Sequence, residues 1–198
     1  MGRKAGVSAA QTRERLLASA ARVFAEHGYA GARVGEIARA AGLTTGAIYA
    51  HYATKADLLC DAIRSHGTDP LAGLASPDRL TGSVADVLRA VGRSLARRPA
   101  RHGSLLMEAA VAARRDREVA TLLRQNVTTQ EGLIADLLRA AQEAGELDPT
   151  VPPDAAARFC MTLAMGSLVV TALGLAPADA DDWSAVVDRL VATLEVAG

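Results

Sequence analysis

Apolar residues recur every three to four positions along most of the chain, and no segment alternates apolar and polar residues as a half-buried β-strand does. The last segment shows the pattern as one stripe of Trp183, Val186, Val187, Leu190, Val191 and Leu194. Glycine and proline interrupt the periodicity at intervals that suit helices joined by turns. The sequence therefore predicts an all-α protein of about nine helices.

The composition is typical of a folded, soluble protein. Of the 198 residues, 50% are apolar, and 22 basic residues balance 22 acidic ones, so an intrinsically disordered chain is excluded. Cys60 and Cys160 form neither a disulfide framework nor a zinc cluster, and we expect free thiols in a reducing compartment. The N-terminal segment lacks the apolar run of a signal peptide. We expect a cytoplasmic protein without a metal site or a cofactor.

The balanced total conceals an uneven distribution of charge. Residues 1–55 carry eight basic and three acidic side chains, a net charge of +5, and the remaining residues therefore carry −5. A basic first quarter on an acidic body indicates that the N-terminal part is the one that approaches a polyanion.

Capping residues mark the first helix. Ser8 and Gln11 have the spacing of a capping box at its start, and Gly28 is expected to end it in a left-handed conformation. In such an ending Phe24 and Tyr29 pack against each other. The sequence predicts this helix over residues 9–27.

Two short helices follow, over residues 34–41 and from 45 to about 52, with Thr44 as the cap of the second. The linker between them, Gly42-Leu43-Thr44, has three residues and begins with glycine, which is typical of a helix-turn-helix motif. Thr54 caps a further helix over 55–66. Because plain helical bundles contain similar hairpins, a solvated hairpin without a partner is the alternative interpretation.

The second helix of this motif offers a slim outer face. With Ile48 and Tyr52 turned inward, the residues that point outward are Thr45, Gly46, Tyr49 and Ala50. A helix of this kind fits the major groove of B-DNA, which is about 12 Å wide. Tyr49, His51 and Lys55 can each bind a backbone phosphate.

Short motifs occur in a fixed order over residues 9–63: Gly28-Tyr29, Val34-Gly35-Glu36-Ile37-Ala38, Ala41-Gly42-Leu43-Thr44, Gly46-Ala47-Ile48-Tyr49, and His51-Tyr52 followed by Thr54-Lys55. In order and spacing they resemble the N-terminal domain of TetR-type (tetracycline-repressor-like) transcriptional regulators. The resemblance implies a homodimer whose recognition helices read a palindromic operator in double-stranded DNA. It further implies a C-terminal domain that binds a small molecule and releases the DNA, and a phosphate contact for Lys55.

The chain departs from that family's pattern in three places. Ala32 and Arg33 stand where a capping Thr or Ser is frequent, Thr45 where lysine is common, and Ala50 where a larger polar residue is common. Few side chains are therefore available for direct base readout. Base specificity is expected to come instead from Arg33, from backbone contacts of Gly35, from an N-terminal arm with Arg3 and Lys4, or from DNA shape. The predicted DNA-binding residues are Arg33, Gly35, Thr44, Thr45, Gly46, Tyr49, Ala50, His51 and Lys55.

Residues 159–178 include no charged side chain. A membrane span is not expected, because polar residues, glycines and Pro177 interrupt the run and acidic residues follow it. A soluble helix that is apolar all round must be buried all round, which in a small domain requires a second subunit. The predicted homodimer interface comprises Thr162, Gly166, Val170, Trp183, Val187, Leu190 and Leu194. We assign residues 1–54 to the DNA-binding domain and 55–198 to the ligand-binding and dimerisation domain, connected by helix 55–66.

A ligand pocket has weaker support in the sequence. Asn126 and Gln130 lie within an apolar stripe of the long helix predicted over 118–144, where two amides could orient a ligand in a mostly apolar cavity. The same amides could instead hydrogen-bond neighbouring helices. The other candidate lining residues, each equally compatible with plain core packing, are His102, Met107, Phe159 and Met165.

The sequence gives little support to other classes of function. None of the nucleophile, dinucleotide, P-loop or zinc-protease motifs occurs, so an enzyme is not expected. Two alternatives stay open. A ligand-independent architectural DNA-binding protein would lack an enclosed cavity, and an all-α interaction module would show no salt-dependent affinity for duplex DNA.

Overall fold

Nine helices occur in the part of the chain that the computed structural model describes, which is residues 8–66, 82–96 and 100–196 without the side chains of 100–102. They are α1 (Ala9–Gly31), α2 (Val34–Ala41), α3 (Thr45–Tyr49), α4 (Lys55–His66), α5 (Val84–Leu95), α6 (Ala100–Ala113), α7 (Arg117–Glu143), α8 (Pro153–Ala172) and α9 (Ala180–Ala192). The all-α prediction is confirmed. Arg3, Lys4 and the predicted break after α4 lie outside the described residues, as does the side chain of His102.

The helices group into two compact units. The first falls within Met1–Gly67 and Ser104–Leu123, and the second within Thr68–Gly103 and Arg124–Gly198. Helix α4 therefore belongs to the same unit as α1, and so do the end of α6 and the start of α7. The functional division at residue 54 stays a prediction.

Helix α1 contributes Leu17, Val23 and Phe24, which are fully buried, to the core of the first unit. Its start has the predicted capping box between Ser8 and Gln11. Gly28 has a positive φ of 68° with an extended ψ of 166°, and one further helical turn follows it, so the helical run reaches Gly31 rather than residue 27. The rings of Phe24 and Tyr29 stack with centroids 6.1 Å apart, as the predicted helix ending requires.

The turn between α2 and α3 has the predicted geometry. Gly42 is left-handed with φ 67°, and the Leu43 amide donates to the Ala38 carbonyl oxygen over 2.8 Å. The Thr44 hydroxyl accepts a hydrogen bond from the Ala47 amide, which caps α3. Helix α3 ends at Tyr49 rather than near residue 52, because the chain tightens there into a turn.

The second unit is built from α5, α7, α8 and α9. Its core combines Leu88, Ile134, Met161 and Val191 from these four helices. Helices α5 and α9 lie close together at Gly92, where an added Cβ would fall 2.7 Å from Val187 Cγ1. A glycine is required there for that approach.

Helix α8 is apolar on both sides but buried on one. Its mean hydropathy reaches 1.5, and by length and composition it could cross a membrane, which for one such helix is weak support. Residues at helical spacing face the core, namely Ala157, Met161, Ala164 and Leu168. Its opposite side leaves Phe159 60% exposed and Val170 45% exposed. Within residues 8–66, 82–96 and 100–196, these side chains of α8 are left exposed.

Candidate nucleic-acid interface

The outer face of α3 lies open to solvent on a buried support. Ile48 is 1% exposed and anchors the helix in the core, whereas Tyr49 is 52% exposed. Gly35 at the start of α2 lies beside α3, since a Cβ added there would fall 3.8 Å from Thr45 Oγ1. The structure thus exposes the first turns of α2 and α3 side by side, together with the predicted contact residues Arg33, Thr44, Gly46, Ala50 and His51.

Arg33 is an exposed cation on this surface. It precedes α2 as an exposed N-cap residue whose side chain makes no capping hydrogen bond. Because its guanidinium is not committed to α2, it is free to reach a phosphate or a base edge.

Lys55, by contrast, is engaged inside the protein. Its ammonium donates to the Tyr29 carbonyl oxygen over 2.7 Å and to the Ala32 carbonyl oxygen over 3.3 Å. It also lies 4.4 Å from the centroid of the Tyr29 ring. Lys55 therefore ties the start of α4 to the end of α1 and to the turn that leads into α2, and one N–H is left for an outside acceptor.

A buried carboxylate fixes the segment that follows α3. Asp61 of α4 is 6% exposed and accepts hydrogen bonds from the Tyr52 hydroxyl (2.6 Å), from Arg13 (2.6 Å) and from Arg64 (2.9 Å). Tyr52 comes three residues after the end of α3, so this cluster links α3 to α1 and α4. We call Arg13, Tyr52, Asp61 and Arg64 the Asp61 cluster.

Both acidic groups of the cluster have displaced pKa values. Burial by itself would raise the pKa of Asp61, but the hydrogen bonds from Tyr52 and Arg64 and the two arginine charges lower it below its ordinary value. Burial raises the pKa of Tyr52 to about 12, and the Asp61 carboxylate adds to the rise. The proton therefore stays on the phenol, and the negative charge stays on Asp61.

The turn at Tyr29 joins three elements of the first unit. Burial raises the pKa of Tyr29 to about 12, with a further contribution from the charge of Asp116 and from a hydrogen bond to it. Asp116 also accepts the Glu118 amide (2.9 Å) at the start of α7. Tyr29 is thus held from one side by Lys55 of α4 and from another by the loop between α6 and α7.

The sequence did not identify these anchoring contacts. Tyr52 was predicted to face inward, but Asp61 was not expected to meet it. The available signal in the sequence was one acidic residue, between Cys60 and Ala62, in an otherwise apolar stretch of α4. The partner Arg13 lies 48 positions away, which no local pattern reveals.

The predicted ligand-binding residues are dispersed. Met107 is exposed in the first unit, while Asn126, Gln130 and Met165 are partly buried in the second. Phe159 lines an apolar cavity of about 430 Å³ between α5, α7, α8 and α9. The described lining of this cavity includes Phe159 but not the other four, whose role stays a prediction.

The predicted interface residues divide between surface and core. Thr162, Gly166, Val170 and Leu190 are exposed. Val187 is only 5% exposed, because it packs on Gly92, and the indole of Trp183 donates to the Gly92 carbonyl oxygen over 2.9 Å. These two side chains thus face their own unit. The free apolar side of α9 consists of Val186 and Leu190.

Helices α2 and α3 are short and joined by a tight turn, and α3 has an exposed outer face and an anchored inner face. This arrangement defines a helix-turn-helix DNA-binding protein. The family model for bacterial regulatory proteins of the tetR family matches residues 16–62, and the model for the tetracyclin repressor-like C-terminal domain matches residues 77–190. The chain belongs to the tetR family. It is a DNA-binding transcriptional regulator with an N-terminal helix-turn-helix and a C-terminal helical domain.

Individual relatives agree with this membership. The chain is 44% identical over 61 residues to the HTH-type transcriptional regulator AcrR of Shigella flexneri, a match that covers 31% of this chain and 28% of AcrR. It is 26% identical over 164 residues to the HTH-type transcriptional regulator UidR of Escherichia coli K12, covering 79% of this chain and 80% of UidR. A TetR-family regulator from Rhodococcus sp. shares the fold with a TM-score of 0.78 at 20% identity, over 94% of this chain and 99% of that one.

Proposed function

We propose that the protein is a cytoplasmic repressor that binds a palindromic operator as a homodimer and releases it when a small molecule binds its C-terminal part. The observation that carries the proposal is the exposed face of α3 on its buried support, in a chain whose C-terminal part matches a tetracyclin repressor-like domain. A repressor of this kind catalyses no reaction. It requires a DNA-binding site, an effector-binding site and an energetic coupling between the two.

The operator contacts come from the first turns of α2 and α3. Thr45 and Gly46 approach the base edges, where the Thr45 methyl and hydroxyl suit a thymine methyl or a polar edge. Arg33, Tyr49 and His51 bind phosphates, as does Lys55 through its remaining N–H. Since few of these groups read bases, DNA shape carries part of the specificity.

The homodimer forms through the uncovered apolar sides of α8 and α9. Phe159, Val170 and Leu190 are exposed large apolar residues on these two helices. Two such helices from each subunit make a four-helix interface, which buries this surface. The paired α3 helices then enter successive major grooves about 34 Å apart on one face of the DNA.

Release requires that the small molecule bind one conformation better than the other. Helix α7 begins in the first unit at the Tyr29 contact and continues into the second, and α4 begins at the same turn with Lys55. We infer that a displacement in the C-terminal part reaches the Tyr29 turn along α7 and passes from that turn to α4 and α3. Lys55 and Asp116 would then transmit it to the turn before α2.

A titration with matched variants tests the DNA-binding half of the proposal. Duplexes selected from random DNA by the purified protein are labelled, and their affinity is measured by fluorescence anisotropy at several salt concentrations. We expect Arg33→Ala to weaken binding, because it removes a cation on the proposed surface. Arg22→Ala, which removes an exposed arginine paired with Glu26 on α1, is the control. Equal effects of the two changes would contradict the proposed surface.

A further inference from the structure

The second unit contains an apolar cavity of about 430 Å³, bounded by α5, α7, α8 and α9. Its wall includes Leu88 and Ile134 on one side and Phe159, Cys160, Leu163 and Val191 on the other. Phe159 is 60% exposed, so in the single chain the cavity opens on the side of α8 that the proposed homodimer covers, where a partner subunit would close it. A well-packed core leaves few voids larger than a water molecule, which makes a cavity of this size a candidate binding site.

The wall offers no charged group. Its described side-chain polar atoms are the Thr193 hydroxyl and the Cys160 thiol, and the hydroxyl already donates to the Leu190 carbonyl oxygen over 2.7 Å. Burial raises the pKa of the Cys160 thiol, which keeps this group neutral as well. A ligand in the cavity therefore meets apolar surface with one or two weak polar partners.

Four arginines adjoin residues of the wall in sequence. Arg158 donates to Glu131 over 2.7 Å, Arg189 is an exposed residue of α9, and the other two lie on α5. Arg89 donates to Glu195 over 2.6 Å, and Arg93 donates to Asp188 over 2.6 Å. Both arginines lie on α5, next to Leu88 and Gly92 of the wall, yet each is paired with a carboxylate of the α9 region. An ionic ligand would lose its hydration against a wall whose described side chains carry no charge, which disfavours it strongly.

The volume sets the size of the occupant. At about 30 Å³ for each non-hydrogen atom, the space that a water molecule takes in the liquid, the cavity holds about 14 such atoms. It falls within the range of about 300–1,000 Å³ that is usual for small-molecule sites.

From the wall and the volume we infer that this cavity is the effector site and that its ligand is an uncharged, predominantly apolar molecule of about 14 non-hydrogen atoms. The inference rests on the proposed function, because it identifies the effector of that function by its chemistry. Burial of the ligand's apolar surface drives binding. An ionised headgroup would lower the affinity, because the headgroup loses its hydration in the cavity.

Three probes with ten-carbon chains test the charge preference: 1-decanol, decanoate, whose tenth carbon is the carboxyl carbon, and decyltrimethylammonium. Their binding to the full chain is measured at pH 8 by isothermal titration calorimetry. We expect 1-decanol to bind at least about tenfold more tightly than either ion, because only the ions must give up a charged headgroup's hydration. Equal affinity for the three probes, tighter binding of an ion or failure of 1-decanol to bind would overturn the inference.

Paired variants locate the binding. Ala156 lines the cavity and is partly buried, so Ala156→Phe fills the space and is expected to weaken 1-decanol binding by at least about tenfold. Ala140→Phe adds the same ring at an exposed position of α7 and serves as the control. Ala156→Leu, a smaller change, is measured beside it so that a folding defect in the larger variant is recognised. Unchanged 1-decanol affinity in both Ala156 variants would overturn the assignment.

Anisotropy of a selected duplex separates this inference from the proposed function. If the protein binds the duplex but the cavity shows no preference for 1-decanol, the inference on ligand chemistry fails while DNA binding stands. If 1-decanol binds as expected but leaves the duplex bound at saturation, the assignment of the cavity as the effector site is overturned. Release of the duplex at the concentration that fills the cavity supports both.

Discussion

The Tyr52 hydroxyl donates a hydrogen bond of 2.6 Å to the buried Asp61 carboxylate, so the segment that follows the recognition helix is attached to α4. Arg13 of α1 and Arg64 of α4 bind the same carboxylate from the surface. Because α3 has only five residues, it holds few contacts of its own, and its orientation depends on such anchors. The Asp61 cluster thereby fixes the position of the segment that follows α3 relative to α1 and α4.

Removal of the Tyr52 hydroxyl should destabilise the protein. Tyr52→Phe deletes a charge-assisted hydrogen bond to a buried carboxylate, and we expect the free energy of unfolding to fall by about 1.5–3 kcal/mol. Urea denaturation followed by circular dichroism measures the change. Tyr49→Phe removes the same hydroxyl from an exposed ring and should leave stability unchanged. A Tyr52→Phe protein as stable as the Tyr49→Phe protein would show that the bond contributes nothing.

The stability contributed by Asp61 should depend on pH. Its pKa is lower in the folded chain than in the unfolded one, where it is about 3.9, so the ionised carboxylate stabilises the fold fully above that value. As pH falls below about 4 towards the folded pKa, this contribution is lost. The difference in unfolding free energy between the native chain and Asp61→Asn should therefore stay constant from pH 7 to about 5 and shrink on further acidification. A difference that grows with acidification would contradict the assignment.

Lys55 should affect both stability and DNA binding. Lys55→Ala removes two hydrogen bonds to the end of α1 and the proposed phosphate contact. We expect the unfolding free energy to fall by about 1–3 kcal/mol, and the slope of log affinity against log salt to decrease by about one unit for operator and random DNA alike. Chemical denaturation and anisotropy titrations measure the two effects. Lower stability with an unchanged salt slope would restrict Lys55 to its positioning role.

A carboxylate on the uncovered side of α8 should dissociate the proposed dimer. Val170→Asp places a charge in an apolar four-helix interface, which costs several kcal/mol unless the charge is paired. We expect a shift from dimer to monomer in light scattering after gel filtration, together with weaker operator binding. Val111→Asp is a matched control, because Val111 is 46% exposed and Val170 is 45% exposed. Dissociation by both changes, or by neither, would contradict the proposed interface.

The contact between Tyr29 and Asp116 should carry the release signal. Tyr29→Phe removes the hydroxyl that meets Asp116 but keeps the ring on which Lys55 rests. We expect nearly native affinities for the duplex and for 1-decanol, with a reduced ability of 1-decanol to release the duplex. A titration of the preformed complex measures this coupling. Fully retained release in the variant would place the route elsewhere.

Local patterns were sufficient to predict the helices and several of their ends. Ser8 with Gln11, Gly42 and Thr44 act over three or four residues and cap their helices as predicted, whereas Gly28 has an extended ψ and α1 continues past it to Gly31. The end of α3 was predicted too late, because the inward position of Tyr52 is held by Asp61 rather than by helical spacing. Sequence periodicity does not reveal a hydrogen bond between side chains of two different helical segments.

Contacts between distant segments could not be predicted in this way. The stripe of α9 is apolar over so wide an arc that its inward side could not be chosen, and only Gly92 shows that Val187 faces α5. The cavity likewise depends on how four helices meet, so Phe159 was identified as a lining residue while Leu163 and Ala156 were not. Its described wall includes neither Asn126 nor Gln130, the two amides that the sequence suggested for a ligand site, and their role stays a prediction.

Sedimentation velocity of the full chain with a fluorescent duplex, chosen by selection from random DNA, tests the central claim most directly. The claim is that two chains, joined through α8 and α9, place their α3 helices on one face of the DNA. We predict a dimer of the free protein at micromolar concentration and a complex of two chains on one duplex. A single chain at that concentration, or no complex with any duplex at low ionic strength, would contradict it.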